Sequence, residues 1–143
     1  VLKIIKNSLV NNIRKLQPYL LATTVLWTAL ILYLLLMPGE FVRGPRWFRG
    51  EDKVAHFALF AMWSCQVYLV LDQRLRKEIS TLLAVLGGAV FFGIATEMLQ
   101  TLMPRRAGDV QDFLADMIGA VIGLTVAYFL KKELICMENK LDK

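Results

Sequence analysis

The chain contains a single histidine, His56, with a carboxylate four residues before it at Asp52. On a helix that spacing puts both on one face, and an imidazole beside a carboxylate makes an oriented base or a metal ligand. Glu97 and Gln100 stand three apart, and Asp109, Asp112 and Asp116 follow at steps of three and four. Three carboxylates stacked on one helical stripe repel one another and call for a counterion. One answer is a divalent cation held by Glu97, Asp109, Asp112, Asp116 and His56. The other is Lys53, Arg105 and Arg106. Those two arginines could instead grip a phosphate or carboxylate through forked contacts. His56, Glu97 and Asp112 are the candidate acid–base groups. The competing structural readings are an interfacial histidine with one hydrogen bond, an ion pair from Glu97 to Arg105 or Arg106, and a salt-bridged plug. Both kinds of reading stay open at the level of residues and spacing.

The elements that must position these groups are apolar runs of membrane length. Four are predicted, at 19–37, 54–71, 79–95 or a little beyond, and 113–130. Each is close to the roughly 20 residues that cross the hydrocarbon as a helix. Pro18 suits the first turn of the first span, and Pro38 with Gly39 should stop it. Residues 1–17 mix Leu2, Ile5, Leu9, Ile13 and Leu16 with Lys3, Lys6, Arg14 and Lys15, the pattern of a short amphipathic surface helix. In the loop at 38–53, Arg43, Arg46 and Arg49 alternate loosely with Trp47 and Phe48, which suits a headgroup zone. Gly119 and Gly123 continue the aspartate stripe inward and should let a neighbouring helix approach closely. Residues 133–143 read as a loosely ordered cytoplasmic tail. The division is therefore 1–17, a four-helix membrane domain at 18–132, and 133–143. The fold class is all-α, a four-helix transmembrane bundle.

In an up-and-down bundle the end of the first span, the start of the second, the end of the third and the start of the fourth share one membrane face. Polar groups from four separate places in the sequence are thereby brought to one level. A charge placed in hydrocarbon costs at least about 2.5–3.5 kcal/mol by insertion scales, so a convergence of this kind points to function. Eleven of the seventeen lysines and arginines fall on the proposed inner side, which puts both termini in the cytoplasm and the polar level outside.

Composition agrees with a membrane chain. Of 143 residues, 57% are hydrophobic and only 20% charged, and the charges gather between the apolar runs. The net charge of +5 does not indicate a nucleic-acid partner, because the basic residues flank lipid-length runs and form no binding stripe. The first apolar run lacks a small-residue cleavage site and is expected to remain as a span. Cys65 and Cys136 should lie far apart, without an intrachain disulfide.

Three stretches together resemble the VanZ-like family of small bacterial membrane proteins. Asp52-Lys53-Val54-Ala55-His56 is similar to that family's Asp-Lys-x-x-His, and Glu97-Met98-Leu99-Gln100 to its Glu-x-x-Gln. Pro104-Arg105-Arg106-Ala107-Gly108-Asp109-Val110-Gln111-Asp112 resembles its Pro-x-Arg region followed by Asp, with Gly119 and Gly123 beyond. By this match Arg106 stands for the family arginine. Where the family usually has Asn, this chain has Asp116, which adds a negative charge. The resemblance spans roughly residues 20–132. It implies a four-helix domain in the bacterial cytoplasmic membrane and an association with resistance to teicoplanin, a lipid-tailed glycopeptide acting on cell-wall precursors. It implies no particular reaction.

The expected function is an outer-face polar site for an anionic lipid, a lipid-linked cell-wall molecule or a lipid-tailed glycopeptide. Arg46, Arg49, Asp52, Lys53, Gln100, Arg105, Arg106, Asp109 and Asp116 are its candidate binding residues. The alternative is a membrane enzyme acting on a lipid phosphate or glycolipid, metal-dependent if a divalent cation is held, with His56 and Glu97 as acid and base. A structural subunit and a transporter subunit are further alternatives.

Overall fold

The structure is a computed structural model, and it describes residues 2–38, 48, 50–75, 78–104 and 106–141. It consists of four helices in up-and-down order: α1 (Leu2–Leu35), α2 (Glu51–Leu75), α3 (Glu78–Gln100) and α4 (Val110–Leu141). Each contains a stretch long and apolar enough to cross a membrane: Leu16–Leu35, Glu51–Asp72, Glu78–Gln100 and Val110–Glu133. Large apolar side chains face outward along these stretches. Leu26 is 69% exposed, Phe91 75% and Ile118 58%. In water such a surface would drive aggregation, whereas in a bilayer it is the lipid contact. The chain is a multi-pass membrane protein with a four-helix bundle.

Two helices run further than the sequence predicts. Pro18 does not begin a helix but lies inside α1, which is unbroken from Leu2. Proline removes one helical hydrogen bond, and the long run of helix formers on either side carries the helix past it. At the other terminus, the expected loose tail is helical as far as Leu141. Leu134, Met137, Glu138 and Lys140 are good helix formers, and no glycine or proline interrupts them. The ends of α1 and α3 fall where the stop signals stand: α1 ends at Leu35, just before Pro38, and α3 at Gln100, before Pro104.

The closest helix pair is α2 and α4. A Cβ at Gly119 would run into the backbone carbonyl of Phe57, and one at Gly123 into that of Ala61. Only glycine lets the two backbones lie so near, which is the small-residue packing of membrane helices. Ser64 seals the seam, its hydroxyl donating to the Ala120 carbonyl at 2.9 Å. On the other side of α2, α1 docks through two indoles. The Trp27 Nε1–H donates to the Leu59 carbonyl at 3.0 Å and the Trp63 Nε1–H to the Thr28 hydroxyl at 3.0 Å. Thr23 and Thr24 turn back to the Leu20 carbonyl of their own helix. Phe60, Trp63 and Phe92 form a buried aromatic layer with ring centroids 5.4–6.2 Å apart. This layer lies one turn inward from His56 and floors the polar groups above it.

Candidate functional site

Three helices deliver the site. α2 brings Lys53 and His56 on one face of its first two turns. α3 brings Glu97 in its last turn. α4 brings Asp112 and Asp116 in its first two turns, preceded by Asp109. The start of α4 is set by Asp109 itself: its Oδ1 accepts from the Gln111 N–H at 2.8 Å, and its carbonyl accepts from the Asp112 N–H at 2.9 Å. That is an N-cap, and it fixes which way the aspartate stripe faces. The Asp109 N–H in turn donates to Glu97 Oε2 at 2.7 Å, tying the start of α4 to the end of α3. Gly108 permits this approach, since a Cβ there would sit 3.0 Å from the Glu97 carbonyl oxygen.

The polar groups divide into two layers. The upper layer is an ion cluster at the rim. Lys53 Nζ reaches Asp112 Oδ1 at 2.7 Å and Asp109 Oδ2 at 2.9 Å, with Asp52 at 3.8 Å. The Gln111 N–H, and after it the Lys53 ammonium, hold the Asp109 carboxyl below its ordinary range by stabilising its charged form. The lower layer is buried. His56 Nδ1 lies 3.0 Å from Asp116 Oδ1 and 4.0 Å from Glu97 Oε1. The side chains of His56 and Asp116 are 3% and 0% exposed, and that of Glu97 is 13% exposed. Glu97 Oε1 and Asp116 Oδ2 are buried without a hydrogen-bond partner.

A buried carboxylate oxygen without a partner costs several kcal/mol in round terms if ionised, so these two call for a proton or a cation. The donor set fits a metal ion. His56, Glu97 and Asp116 can each offer one ligand atom, all within 4.8 Å of one another. One imidazole and two carboxylates are ligands that zinc and manganese accept at bond lengths of about 2.0–2.2 Å.

The structure separates the residues that the sequence had grouped. His56 is oriented by Asp116 of α4, not by Asp52 of its own helix, because Asp52 leans outward beside Lys53 and is half exposed. Of the five candidate metal ligands, Asp109 and Asp112 are engaged by Lys53, which leaves His56, Glu97 and Asp116 as the buried set. Gln100 is buried with its Nε2 donating to the Leu35 carbonyl at 3.1 Å, which satisfies a free carbonyl at the end of α1. Arg106 donates from Nε to the Met37 carbonyl at 3.2 Å and pairs with no carboxylate among the described residues. Both residues fasten the end of α1 to the turn between α3 and α4. Arg46, Arg49, Arg105 and Trp47 lie outside the described residues. The capping role of Asp109 was missed in the sequence, although Gly-Asp before an apolar run is a helix-start signal.

Comparison with known proteins adds three findings. The VanZ/LLP1 family matches residues 7–131. An uncharacterized protein of Schizosaccharomyces pombe (strain 972 / ATCC 24843) is 33% identical over 74 residues, covering 52% of this chain and 44% of that protein. The chain thus corresponds to less than half the length of that relative. No solved structure matches.

Proposed function

The chain belongs to the VanZ/LLP1 family, and from that premise we propose that its buried cluster is the divalent-metal centre of a membrane enzyme acting on the polar head of a lipid or lipid-linked envelope molecule. The observation that carries the proposal is the pair of unmatched buried oxygens, Glu97 Oε1 and Asp116 Oδ2, beside His56. Lys53 engages Asp109 and Asp112 one layer above, whereas one oxygen of each buried acid has no such partner. The family's link to resistance against a lipid-tailed glycopeptide supports a lipid-linked partner. The positive-inside count supports cytoplasmic termini and the cluster on the outer face of the bacterial cytoplasmic membrane.

Each residue then has a role. His56, Glu97 and Asp116 would hold the cation, which when bound would supply Lewis-acid chemistry toward a phosphoryl or glycosyl oxygen. Lys53 holds Asp109 and Asp112 at the rim and fixes the mouth. Arg46, Arg49, Arg105 and Arg106 are the groups that would take a phosphate or carboxylate from outside. Gln100 is a positioning residue through Leu35. The 3.0 Å contact between His56 and Asp116 supports a second, metal-free reading: an oriented imidazole paired with Glu97 as acid and base.

The experiment is metal binding by purified protein. After chelation, one equivalent of Mn2+ should bind in detergent micelles, observed by calorimetry and by the loss of the free-ion electron-spin signal. Glu97→Gln and Asp116→Ala should each weaken binding by about 10–100-fold, the range typical of disturbed metal sites. Release of phosphate or of a polar head from added lipid should depend on the same ion. Turnover that survives chelation selects the metal-free reading, and absence of both binding and turnover rejects the enzyme.

A further inference from the structure

We infer that the centre is entered sideways from the bilayer, with one hydrocarbon chain of the bound molecule lying in a groove between α3 and α4. The inference rests on the lipid-directed reading above and names how the lipid part is held. The groove is open to the outside and measures about 280 Å³. Ile94, Met98, Val110 and Phe113 are its apolar lining, and Glu97 and Asp109 its carboxylates. At this size, just under the roughly 300–1,000 Å³ of drug-sized pockets, it takes a length of one chain and not a whole lipid.

Three observations choose the occupant. First, the opening faces hydrocarbon. Ile94, Met98 and Val110 are 47%, 66% and 75% exposed, on two helices that are long and apolar enough to span the membrane. Second, the groove runs inward from the helix ends. Asp109 and Val110 stand at the start of α4, and Ile94 lies three residues deeper than Glu97, about 4.5 Å along the helix axis. A chain pointing toward the bilayer midplane and a head at the rim match that order. Third, Glu97 belongs to both spaces. It lines the groove, and its Oε1 stands 4.0 Å from His56 Nδ1 in the buried cluster, so one side chain separates the lipid from the centre. Two glycines shape the space. At Gly93 a Cβ would press on the Phe113 ring at 3.1 Å, so its absence lets that ring seat inward as the floor. At Gly108 a side chain would crowd Glu97 and Thr101.

The test uses the full chain in vesicles of phosphatidylethanolamine and phosphatidylglycerol, with a fraction of the phosphatidylglycerol carrying a photoreactive diazirine in the upper part of one acyl chain. After irradiation, mass spectrometry locates the adducts. Labelling at Ile94, Met98, Val110 and Phe113 should exceed that at Val54 of α2 and Leu114 of α4 by about tenfold, the ratio that roughly 1.4 kcal/mol of preference produces. Val54 and Leu114 are each 53% exposed and lie within the first two turns of their helices, so exposure and depth alone predict comparable labelling. Filling the groove with Ile94→Trp plus Met98→Trp should abolish the excess at Val110 and Phe113. Val110→Trp, at the exposed start of α4, does the same from the other wall if the double variant fails to fold. Even labelling of all lipid-facing residues overturns the inference, as does a crosslink joining this groove to a second copy of the chain. Groove labelling in a protein that binds no Mn2+ and turns over no lipid would reject the metal-enzyme reading and keep the groove. Mn2+ binding with even labelling would reject the groove alone.

Discussion

Where α2 runs out and the span of α4 closes, Asp72 and Lys131 face each other at 2.6 Å, one anion to one cation, with the Lys131 ammonium also 6.0 Å from the Tyr68 ring centroid. At the opposite end, among the described residues, Glu97, Asp109, Asp112 and Asp116 gather around Lys53 and His56. Unmatched buried groups occur in both halves, but those nearer the Asp72 end are the neutral Tyr68 hydroxyl and Gln66 amide oxygen, whereas those at the cluster end belong to carboxylates. A neutral orphan costs roughly 1–3 kcal/mol and can be tolerated, while an ionised one in low dielectric demands a compensating charge. The Asp72 end is thus matched pair by pair, whereas the cluster end leaves two carboxylate oxygens that call for a proton or a cation.

The variant with the largest expected effect should erase the difference between the ends. Gly123→Val places a side chain against the Ala61 carbonyl and the Ser64 hydroxyl, forcing α2 and α4 apart along the seam that serves both ends. A loss of about 3 kcal/mol is expected, at the upper side of ordinary overpacking, measured as unfolding in mixed micelles of increasing denaturing detergent. A neutral result would show that the seam is looser than the glycine contacts require.

Removing each cation in turn compares the ends directly. Lys53→Met strands two carboxylates, Asp109 and Asp112, whereas Lys131→Met strands only Asp72. Both lysine side chains are 30% exposed, so full buried-pair values do not apply. About 2 kcal/mol for Lys53→Met and about 1 kcal/mol for Lys131→Met are expected in the same unfolding assay. Equal losses would mean that the two ends are electrostatically alike.

Asp116→Asn sharpens the contrast by separating stability from chemistry. The amide keeps the shape and can donate into the cluster while removing a charge, so stability should hold or rise. Mn2+ affinity should fall by about tenfold, equivalent to roughly 1.4 kcal/mol. Asp72→Asn should do the reverse, lowering stability and leaving Mn2+ binding unchanged. A loss of ion binding from the Asp72 variant would dissolve the distinction.

The smallest effect concerns acid. The Asp109 carboxyl lies below its ordinary value of 3.8 in the folded protein, so its contribution is complete above that value and fades as pH drops through the lowered one. Asp109→Asn should therefore flatten only the most acidic part of a stability–pH profile and leave the neutral range flat. A change centred near neutrality would point to another group.

How much of this was legible in the residues differs by level. The four spans were readable because apolar length against bilayer thickness is a one-dimensional quantity, and stop signals such as Pro38 act locally. The gathering of His56, Glu97 and Asp116 at one end followed from counting helices, since alternating direction fixes which ends meet. The close seam was foreseeable from Gly119 and Gly123 because a missing Cβ has a single packing consequence. The continuation of α4 to Leu141 was not read, since chain ends are loosely ordered by default while propensity here favours helix.

The sequence by itself determined that polar residues from distant positions must share one membrane face, because hydrocarbon penalises lone charges and helices cross in alternation. Only the tertiary structure decided who pairs with whom. Asp52 and Asp116 are both within reach of His56 in principle, and the rotation of α4 against α2, set by contacts at Gly119 and Gly123, turns Asp116 inward. The same rotation gives Asp109 and Asp112 to Lys53 and leaves Glu97 facing both the cluster and the lipid-side groove. Helix rotation has no signature in residue spacing, because it arises from side chains meeting across elements far apart in the chain.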